Sequence, residues 1–219
     1  MNHGDSLGAC DSDVDIISPE ITSGTTGTDL DENSGSGQTI YTIIANDDVA
    51  VTSYAIAGTD VSLLSVNTST GVVSLITDPD YETKNSYSFT VTASDAAGNT
   101  SDPTTVSFSI NDINETTLAV ADTATVAEDA SLTSIDVITN DTDVDGDDLT
   151  LTAVSTTSGT VAINGVSVDY TPAANFNGEV TITYTVSDGT LTDEGTLTVT
   201  VTSVNDAPTI TSSASFTAE

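Results

Sequence analysis

The sequence predicts an all-β fold of two tandem antiparallel Greek-key β-sandwiches, and three observations support this prediction. Apolar and polar residues alternate in short segments, as in the run from Tyr87 to Ala93, which is typical of half-buried strands. Thr, Val, Ile and Ser are abundant whereas the helix-favouring residues Lys, Arg, Gln and Met are scarce, which favours strands over helices. The third observation is an internal repeat of about 94 residues.

The alternating pattern recurs in five further segments that are separated by turn residues and by no helical segment. Asn164 and Gly165 lie between two of these apolar runs, so a tight hairpin is expected there. Many short strands without intervening helices indicate sandwiches rather than a β/α fold. The apolar positions of the five segments are Val106, Phe108 and Ile110; Leu149, Leu151 and Ala153; Val166, Val168 and Tyr170; Val180, Ile182, Tyr184 and Val186; and Leu197, Val199 and Val201.

The repeat is visible in two segments, YSFTVTASDAAGN at 87–99 and VTITYTVSDGTLT at 180–192, that both end a strand in Ser-Asp. The Asn-Asp pairs at 111–112 and 205–206 follow with nearly the same offset. The final residues PTITSSASFTAE also resemble PEITSGTTGTDLDE at 19–32. We therefore predict a disordered tail at 1–17, sandwiches at 18–114 and 115–206, and the start of a third repeat at 207–219.

The charge of the chain excludes several classes of function. The 219 residues contain 34 Asp and Glu against one Lys or Arg, a formal net charge of −33. Binding to nucleic acid or to anionic lipid needs clustered basic side chains, so neither is expected. No apolar run is long enough to cross a bilayer, residues 1–20 lack the features of a signal peptide, and the single Cys10 allows no intramolecular disulfide.

The segment NDTDVDGDDL is a candidate metal loop, because Asp141, Asp143 and Asp145 alternate and are followed by Gly146. Closely spaced carboxylates suit a hard cation such as calcium. An EF-hand is excluded because Thr152 stands at the twelfth position and no helices flank the loop. A solvated acidic turn without an ion remains the alternative.

A further set of acidic and Asn residues resembles a cadherin repeat. DEN at 31–33, DYE at 80–82, ASD at 93–95 and NDINE at 111–115 follow one another in the family's order, and LLSVNTSTGVVSL at 63–75 is similar to its central hairpin. The linker differs from the family's DxNDN, and Tyr81 stands where Arg is usual. The second repeat, with EDA at 128–130 and FNGEVTITYTVSDG at 176–189, is more similar to bacterial cadherin-like and VCBS-type repeats of large surface and RTX adhesins.

The resemblance implies Ca²⁺ ligands at the junctions between repeats. For the junction within this chain it implies Glu32, Asp80, Glu82, Asp95, Asp112, Asn114, Asp143 and Asp145. For the following junction it implies Glu128, Asp188 and Asp206. Carboxylates gathered there repel one another, so we expect a flexible junction that calcium rigidifies.

These features predict a calcium-rigidified stalk or adhesion module of a bacterial surface adhesin, located outside the cell or on its surface and acting in cell or biofilm adhesion. One alternative is a carbohydrate-binding accessory module that uses Tyr81 to stack on a cell-surface or matrix polysaccharide. Another is homophilic binding to a second copy of the chain. No enzyme is expected, because Ser6 in the G-x-S-x-G match at 4–8 lacks a preceding strand and a separate histidine.

Overall fold

A computed structural model describes residues 15–208, and these divide between two compact units, Met1–Ile113 and Asn114–Glu219. Each unit is a β-sandwich, so the predicted fold class is confirmed. Most of the predicted tail, with His3, Ser6 and Cys10, lies outside the described residues. So does most of the predicted third repeat, from residue 209 onwards.

The described residues of unit 1, from 15 to 113, contain nine strands and one turn of 3₁₀-helix, Val61–Leu63. A four-stranded sheet has the order β2-β9-β8-β5, a three-stranded sheet has the order β3-β7-β6, and β1 pairs with β4. The strands are β1 (Glu20–Ile21), β2 (Leu30–Asp31), β3 (Thr39–Thr42), β4 (Ala45–Asn46), β5 (Val51–Ala57), β6 (Leu64–Val66), β7 (Val72–Leu75), β8 (Ser86–Asp95) and β9 (Thr104–Asn111).

The core of unit 1 follows directly from the period-2 pattern. In β8, Tyr87, Phe89 and Val91 are buried while the residues between them are more exposed. Tyr87 stacks on Phe108 of the neighbouring strand with ring centroids 4.7 Å apart, and Phe89 meets the edge of Tyr41 from the opposite sheet at 6.2 Å. The alternation therefore turns one face of each sheet into the interior.

Unit 2 repeats this arrangement with a four-stranded sheet of order β10-β16-β15-β12 and a three-stranded sheet of order β11-β14-β13. The chain crosses between the two sheets in the same sequence in both units, as Greek-key connections require. The strands are β10 (Asp122–Ala127), β11 (Thr133–Asp136), β12 (Thr150–Thr156), β13 (Thr160–Asn164), β14 (Ser167–Thr171), β15 (Gly178–Ser187) and β16 (Thr192–Thr202).

Two details of the pairing go beyond the prediction. The expected hairpin joins β13 to β14, but Asn164 pairs with Ser167, so Gly165 and Val166 form the loop and Gly165 has a φ of 63°. In each unit the first strand of the four-stranded sheet runs parallel to the last strand, β2 to β9 and β10 to β16. The remaining strand pairs in the described residues are antiparallel.

The long strands β8 and β15 determine where acidic side chains can meet. Each contains ten residues, which corresponds to about 33 Å from end to end. Residues that precede such a strand and residues that follow it therefore lie at opposite ends of the same unit. In the described part of the chain, no helix is long and apolar enough to span a membrane.

Gly195 is expected to be intolerant of any side chain. It lies opposite Tyr184 in the register of β15 and β16, and a Cβ atom placed on it would collide with the Tyr184 ring. We expect Gly195→Ala to lower the free energy of unfolding by about 1–3 kcal/mol through overpacking, measured by urea denaturation. Thr196→Ala on the exposed face of the same strand is the control, and an equal effect of both substitutions would contradict this account.

Candidate metal sites

A buried glutamate lies at the end of unit 1 where β9 terminates. Glu32 follows β2, and its side chain is 4% exposed. Its Oε2 accepts a hydrogen bond from Tyr81 N at 2.9 Å, and its Oε1 accepts one from Ile113 N at 2.8 Å. A carboxylate oxygen of Glu82 lies within 4.8 Å of a Glu32 oxygen. The structure thus brings together two of the residues predicted for this site.

Asp80 and Asp112, which were also predicted as ligands, have surroundings that differ from those of Glu32. Asp80 accepts hydrogen bonds from Thr83 N at 2.8 Å and from Thr83 Oγ1 at 2.9 Å, so its carboxylate caps a local turn. Asp112 is exposed on the segment that follows β9. Both remain predictions as calcium ligands.

Asp95 lies at the opposite end of unit 1 from Glu32, so its predicted place beside Glu32 is wrong. The reason is geometric: Asp95 ends β8, whereas Glu32 is level with the start of that strand. The Asp95 carboxylate accepts hydrogen bonds from Gly98 N at 2.7 Å, from Asn99 N at 2.9 Å and from Asn99 Nδ2 at 2.7 Å. Burial raises the pKa of Asp95, but these hydrogen bonds outweigh it and leave the pKa lowered.

A carboxylate cluster that sequence reasoning missed lies at this same end of unit 1. Oxygens of Asp15, Asp47 and Asp48 lie within 4.8 Å of one another, and Asn99 Nδ2 donates to Asp15 O at 3.1 Å. A hydrogen bond from Ile17 N lowers the pKa of Asp15, but desolvation and the neighbouring carboxylates leave it raised overall.

A signal for this missed cluster was present in the internal repeat. Asp47 and Asp48 precede β5 just as Asp143 and Asp145 precede β12, and both strands pair with the long strand of their sheet. Asp47 and Asp48 are adjacent in the sequence, however, and lack the alternation that drew attention to Asp141, Asp143 and Asp145 in unit 2.

The corresponding end of unit 2 gathers side chains around residues 114 and 115. Asn114 Nδ2 donates to Asp188 Oδ2 at 3.0 Å, and Glu115 N donates to Asp145 Oδ2 at 2.8 Å. Carboxylate oxygens of Glu115 and Asp145 lie within 4.8 Å of each other. Asp188, which the sequence assigned to the following junction, therefore lies at the start of unit 2, because it directly follows β15, much as Asp95 ends β8.

The acidic loop of unit 2 contains carboxylate oxygens without hydrogen-bond partners. Asp143 Oδ2 and Asp145 Oδ1 are both shielded from solvent and accept no hydrogen bond. Asp141 has a different neighbour, because its Oδ1 accepts a hydrogen bond from Val120 N at 2.7 Å. The three Asp residues alternate in the sequence, but their carboxylates therefore do not share the same neighbours.

Glu128 lies at the far end of unit 2 and corresponds to Glu32 of unit 1. It is 6% exposed, its N donates to Thr202 O at 2.8 Å, and its Oε1 accepts from Val204 N at 2.7 Å. Asp206, predicted for the same junction, is exposed. Glu128 is thus separated from Asp188 by the length of β15.

Tyr81 is not the exposed aromatic that was expected for sugar stacking. Its side chain is half-buried and packs against the core of unit 1. Its backbone N–H is also committed to Glu32. A ring held in this way offers less surface to a sugar than a free surface tyrosine does.

Replacement of Glu32 by alanine is expected to destabilise unit 1 even without a metal ion. Two backbone N–H groups would lose a charged acceptor, which costs about 1.5–3 kcal/mol for each hydrogen bond. We expect the free energy of unfolding, measured by urea titration in chelator, to fall by at least about 2 kcal/mol. Glu20→Ala on the exposed face of β1 is the matched control, and equal stability of both variants would contradict the structural role.

Asp188 is expected to make stability depend on pH. Hydrogen bonds from Asn114 and from the backbone N–H groups of Thr190 and Leu191 lower its pKa below 3.8. A lowered folded-state pKa adds stability that is present above the unfolded value and is lost as the pH falls through the folded value. In chelator, the stability difference between the parent chain and Asp188→Asn should therefore shrink as the pH drops below about 4. A difference that stays constant down to low pH would contradict this assignment.

Comparison with known proteins supports the two-domain architecture. Residues 27–111 match the model of the cadherin domain, and residues 114–202 match the model of the bacterial Ig domain. No curated protein matches the sequence. Cadherin domains are adhesion-type modules, typically extracellular and generally calcium-binding, and neither matched family is an enzyme family.

Solved cadherin structures share the fold. Human protocadherin-24 EC1-2 (form II) has a TM-score of 0.61 at 16% identity, covering 86% of this chain and 100% of that one. Drosophila N-cadherin EC1-4 has a TM-score of 0.60 at 18% identity, covering 86% and 50%. Mouse cadherin-23 EC22-24 has a TM-score of 0.56 at 20% identity, covering 85% and 65%, so the chain spans less than two thirds of these last two structures.

The predicted cadherin resemblance of the first repeat is thereby confirmed, and the second repeat matches a bacterial domain, as its sequence suggested. The chain carries a cadherin domain followed in tandem by a bacterial Ig domain.

Proposed function

We propose that this chain is a calcium-binding segment of an extracellular adhesive stalk in a bacterial surface adhesin, and that calcium rigidifies it. The observation that carries the proposal is the pair of buried, unpartnered oxygens Asp143 Oδ2 and Asp145 Oδ1 in unit 2. Buried anionic oxygens without a hydrogen bond are costly, and a bound cation removes that cost.

The protein itself supplies almost no positive charge to balance these groups. Lys84 is the single Lys or Arg of the sequence, and it pairs with Asp60 at 3.2 Å in unit 1. Any strong counter-charge for the acidic loop must therefore come from solution. Calcium fits the donor set because it takes six to eight oxygen ligands, including carboxylate and backbone carbonyl oxygens.

The linker residues are tied to these carboxylates within each unit. Glu32 accepts from the N–H of Ile113 in unit 1, and Asp145 and Asp188 accept from Glu115 N and from the Asn114 side chain in unit 2. An ion bound to such carboxylates restricts the motion of the backbone that carries them. Ion binding therefore stiffens the chain. A stiffened array of domains suits a stalk that extends an adhesive tip away from the cell.

The first test is a thermal melt of the chain in calcium, magnesium and chelator at constant ionic strength, which separates specific binding from screening of the net charge. We expect calcium to raise the Tm by about 5 °C or more at millimolar concentration. Asp145→Asn should remove much of this gain, because it deletes one ligand charge.

Asp148→Asn is the matched control for that experiment. Asp148 is exposed in the same loop and loses the same charge. If both variants respond to calcium as the parent does, or if magnesium and matched salt act as well as calcium, the calcium-stalk proposal fails.

Homophilic adhesion is a second candidate, favoured by the cadherin match over 27–111. Sedimentation velocity at several protein concentrations tests it directly. Self-association that requires calcium supports this candidate, whereas a monomer at all concentrations in calcium contradicts it. The half-buried position of Tyr81 gives no comparable support to the polysaccharide alternative.

A further inference from the structure

The middle of unit 2 contains the longest uncharged stretch of the chain. Residues 149–168 include no Asp, Glu, Lys, Arg or His, although 34 of the 219 residues are acidic. This stretch covers β12, β13 and the turn into β14. A net charge of −33 makes copies of the chain repel one another. Close approach of two copies therefore costs least where exposed backbone carries no charged side chains.

Within this stretch, β13 is an edge strand that lacks the usual protection of a sheet edge. It ends the sheet of order β11-β14-β13 and pairs with β14 alone, and four of its five residues are exposed. Charged residues, proline and bulges normally keep an edge from pairing with another strand. In the described part of unit 2, the edge strands β10 and β11 contain Asp122 and Asp136, and β12 is interrupted by a bulge. β13 has no charged residue, no proline and no bulge.

The hairpin geometry determines which backbone groups of β13 face outward. Asn164 and Ser167 close a two-residue loop in which Gly165 has a φ of 63°, as in a type II′ turn. The closing pair of such a hairpin is hydrogen-bonded, and hydrogen-bonded pairs alternate with pairs that are not. Within the hairpin, Val161 and Ile163 therefore belong to the pairs without hydrogen bonds. Their N–H and C=O groups point away from β14, along the open edge.

The side chains of these two residues add an apolar surface at the same edge. Val161 lies opposite Tyr170 and Ile163 lies opposite Val168, so both point to the face of the sheet that forms the core. Tyr170 and Val168 are fully buried, whereas Ile163 is 40% exposed. The core of unit 2 is thus uncovered where the sheet ends, and an added strand would cover it.

We propose that two copies of the chain pair through β13, antiparallel and about a two-fold axis at Ala162, so that their three-stranded sheets form one continuous sheet. The outward groups of Val161 then bond to those of Ile163 in the second copy, with about four hydrogen bonds in total. Ala162 faces its own counterpart across the axis. In this register both outward-facing residues of each β13 find a partner within the other β13.

The charges of the two copies remain far apart in this pairing. Asp169 on β14, opposite Ala162, is the acidic residue of the sheet nearest to the contact. The Asp169 residues of the two copies are three strand spacings apart, about 14 Å, which exceeds the Debye length of about 8 Å at physiological ionic strength. A contact made by one short strand is small, so the dimer is weak and transient. The contact lies in the bacterial Ig domain and needs no calcium, so it does not rest on the proposed stalk function.

Disulfide trapping in chelator tests the register directly. A Cys10→Ser background removes the single native thiol. Ala162→Cys in this background should form a covalent dimer under mild oxidation with diamide, because the Cα atoms of such a facing pair are about 4.5 Å apart, within reach of a disulfide. Thr160→Cys lies on the same exposed face but about 14 Å from its own counterpart, so alone it should cross-link at least about tenfold more slowly.

A mixture of Thr160→Cys and Asn164→Cys should restore fast cross-linking between the two variants, because residues 160 and 164 face each other in the proposed register. Equal rates for Ala162→Cys and Thr160→Cys would overturn the proposal.

A dilution series followed by amide NMR in chelator, up to about 1 mM protein, measures the contact without a covalent trap. The amide signals of Val161 and Ile163 should shift with concentration, and more so in higher NaCl, because screening weakens the repulsion between copies. Ala162→Lys should weaken dimerisation at least about fivefold, since it places like charges face to face across the axis. Thr200→Lys in the central strand β16 is the matched control, because it faces Glu179 as residue 162 faces Asp169.

The two lysine variants separate this proposal from the calcium-stalk proposal. Both should retain the rise in Tm that calcium causes, and Asp145→Asn should dimerise in chelator as the parent chain does. Signals that do not shift with concentration, or equal dimerisation of Ala162→Lys and Thr200→Lys, would refute the β13 contact and leave the stalk proposal standing.

Discussion

The structure depends on how carboxylates are accommodated in a chain that has almost no cations. With a net charge of −33, ion pairs cannot balance the acidic side chains, and the described residues 15–208 contain a single pair between Lys84 and Asp60. Backbone N–H groups take over part of this role. Glu32, Glu128 and Asp188 each accept hydrogen bonds from them at a strand end, which satisfies the carboxylate and fixes the adjoining segment.

In this arrangement some carboxylate oxygens accept hydrogen bonds and others do not. This difference distinguishes carboxylates with a structural role from candidate metal ligands. Asp80 and Asp136 cap local turns, and hydrogen bonds, chiefly that from the Thr139 side chain, lower the pKa of Asp136. Asp141 is different, because burial raises its pKa even though Val120 N donates to it. Groups of the first kind are already stable as anions, whereas groups of the second kind favour either a proton or a metal ion.

The two units share the same arrangement of strands and buried acidic residues although their sequences differ. Both place an alternating ten-residue strand in the middle of the four-stranded sheet, β8 in unit 1 and β15 in unit 2, and both bury an acidic residue beyond the first strand of that sheet. Because these strands are about 33 Å long, the sandwich keeps its two sets of acidic residues apart. Each unit therefore has two separate acidic ends.

The amino-acid sequence by itself determined the all-β class, six of the longer strands, the repeat and the resemblance to cadherin, because alternation of apolar residues is a local property and burial follows it residue by residue. It also identified Glu32, Glu82 and Asp145 as residues with acidic neighbours. Only the tertiary structure decided that Asp95 and Asp188 lie at the opposite ends of their units from Glu32 and Glu128. It likewise separated Asp141 from Asp145 and revealed Asp47 and Asp48. These outcomes depend on strand direction and on long-range pairing between segments such as 118–120 and 141–142, and residue spacing along the chain does not encode which distant backbone N–H group a carboxylate will meet.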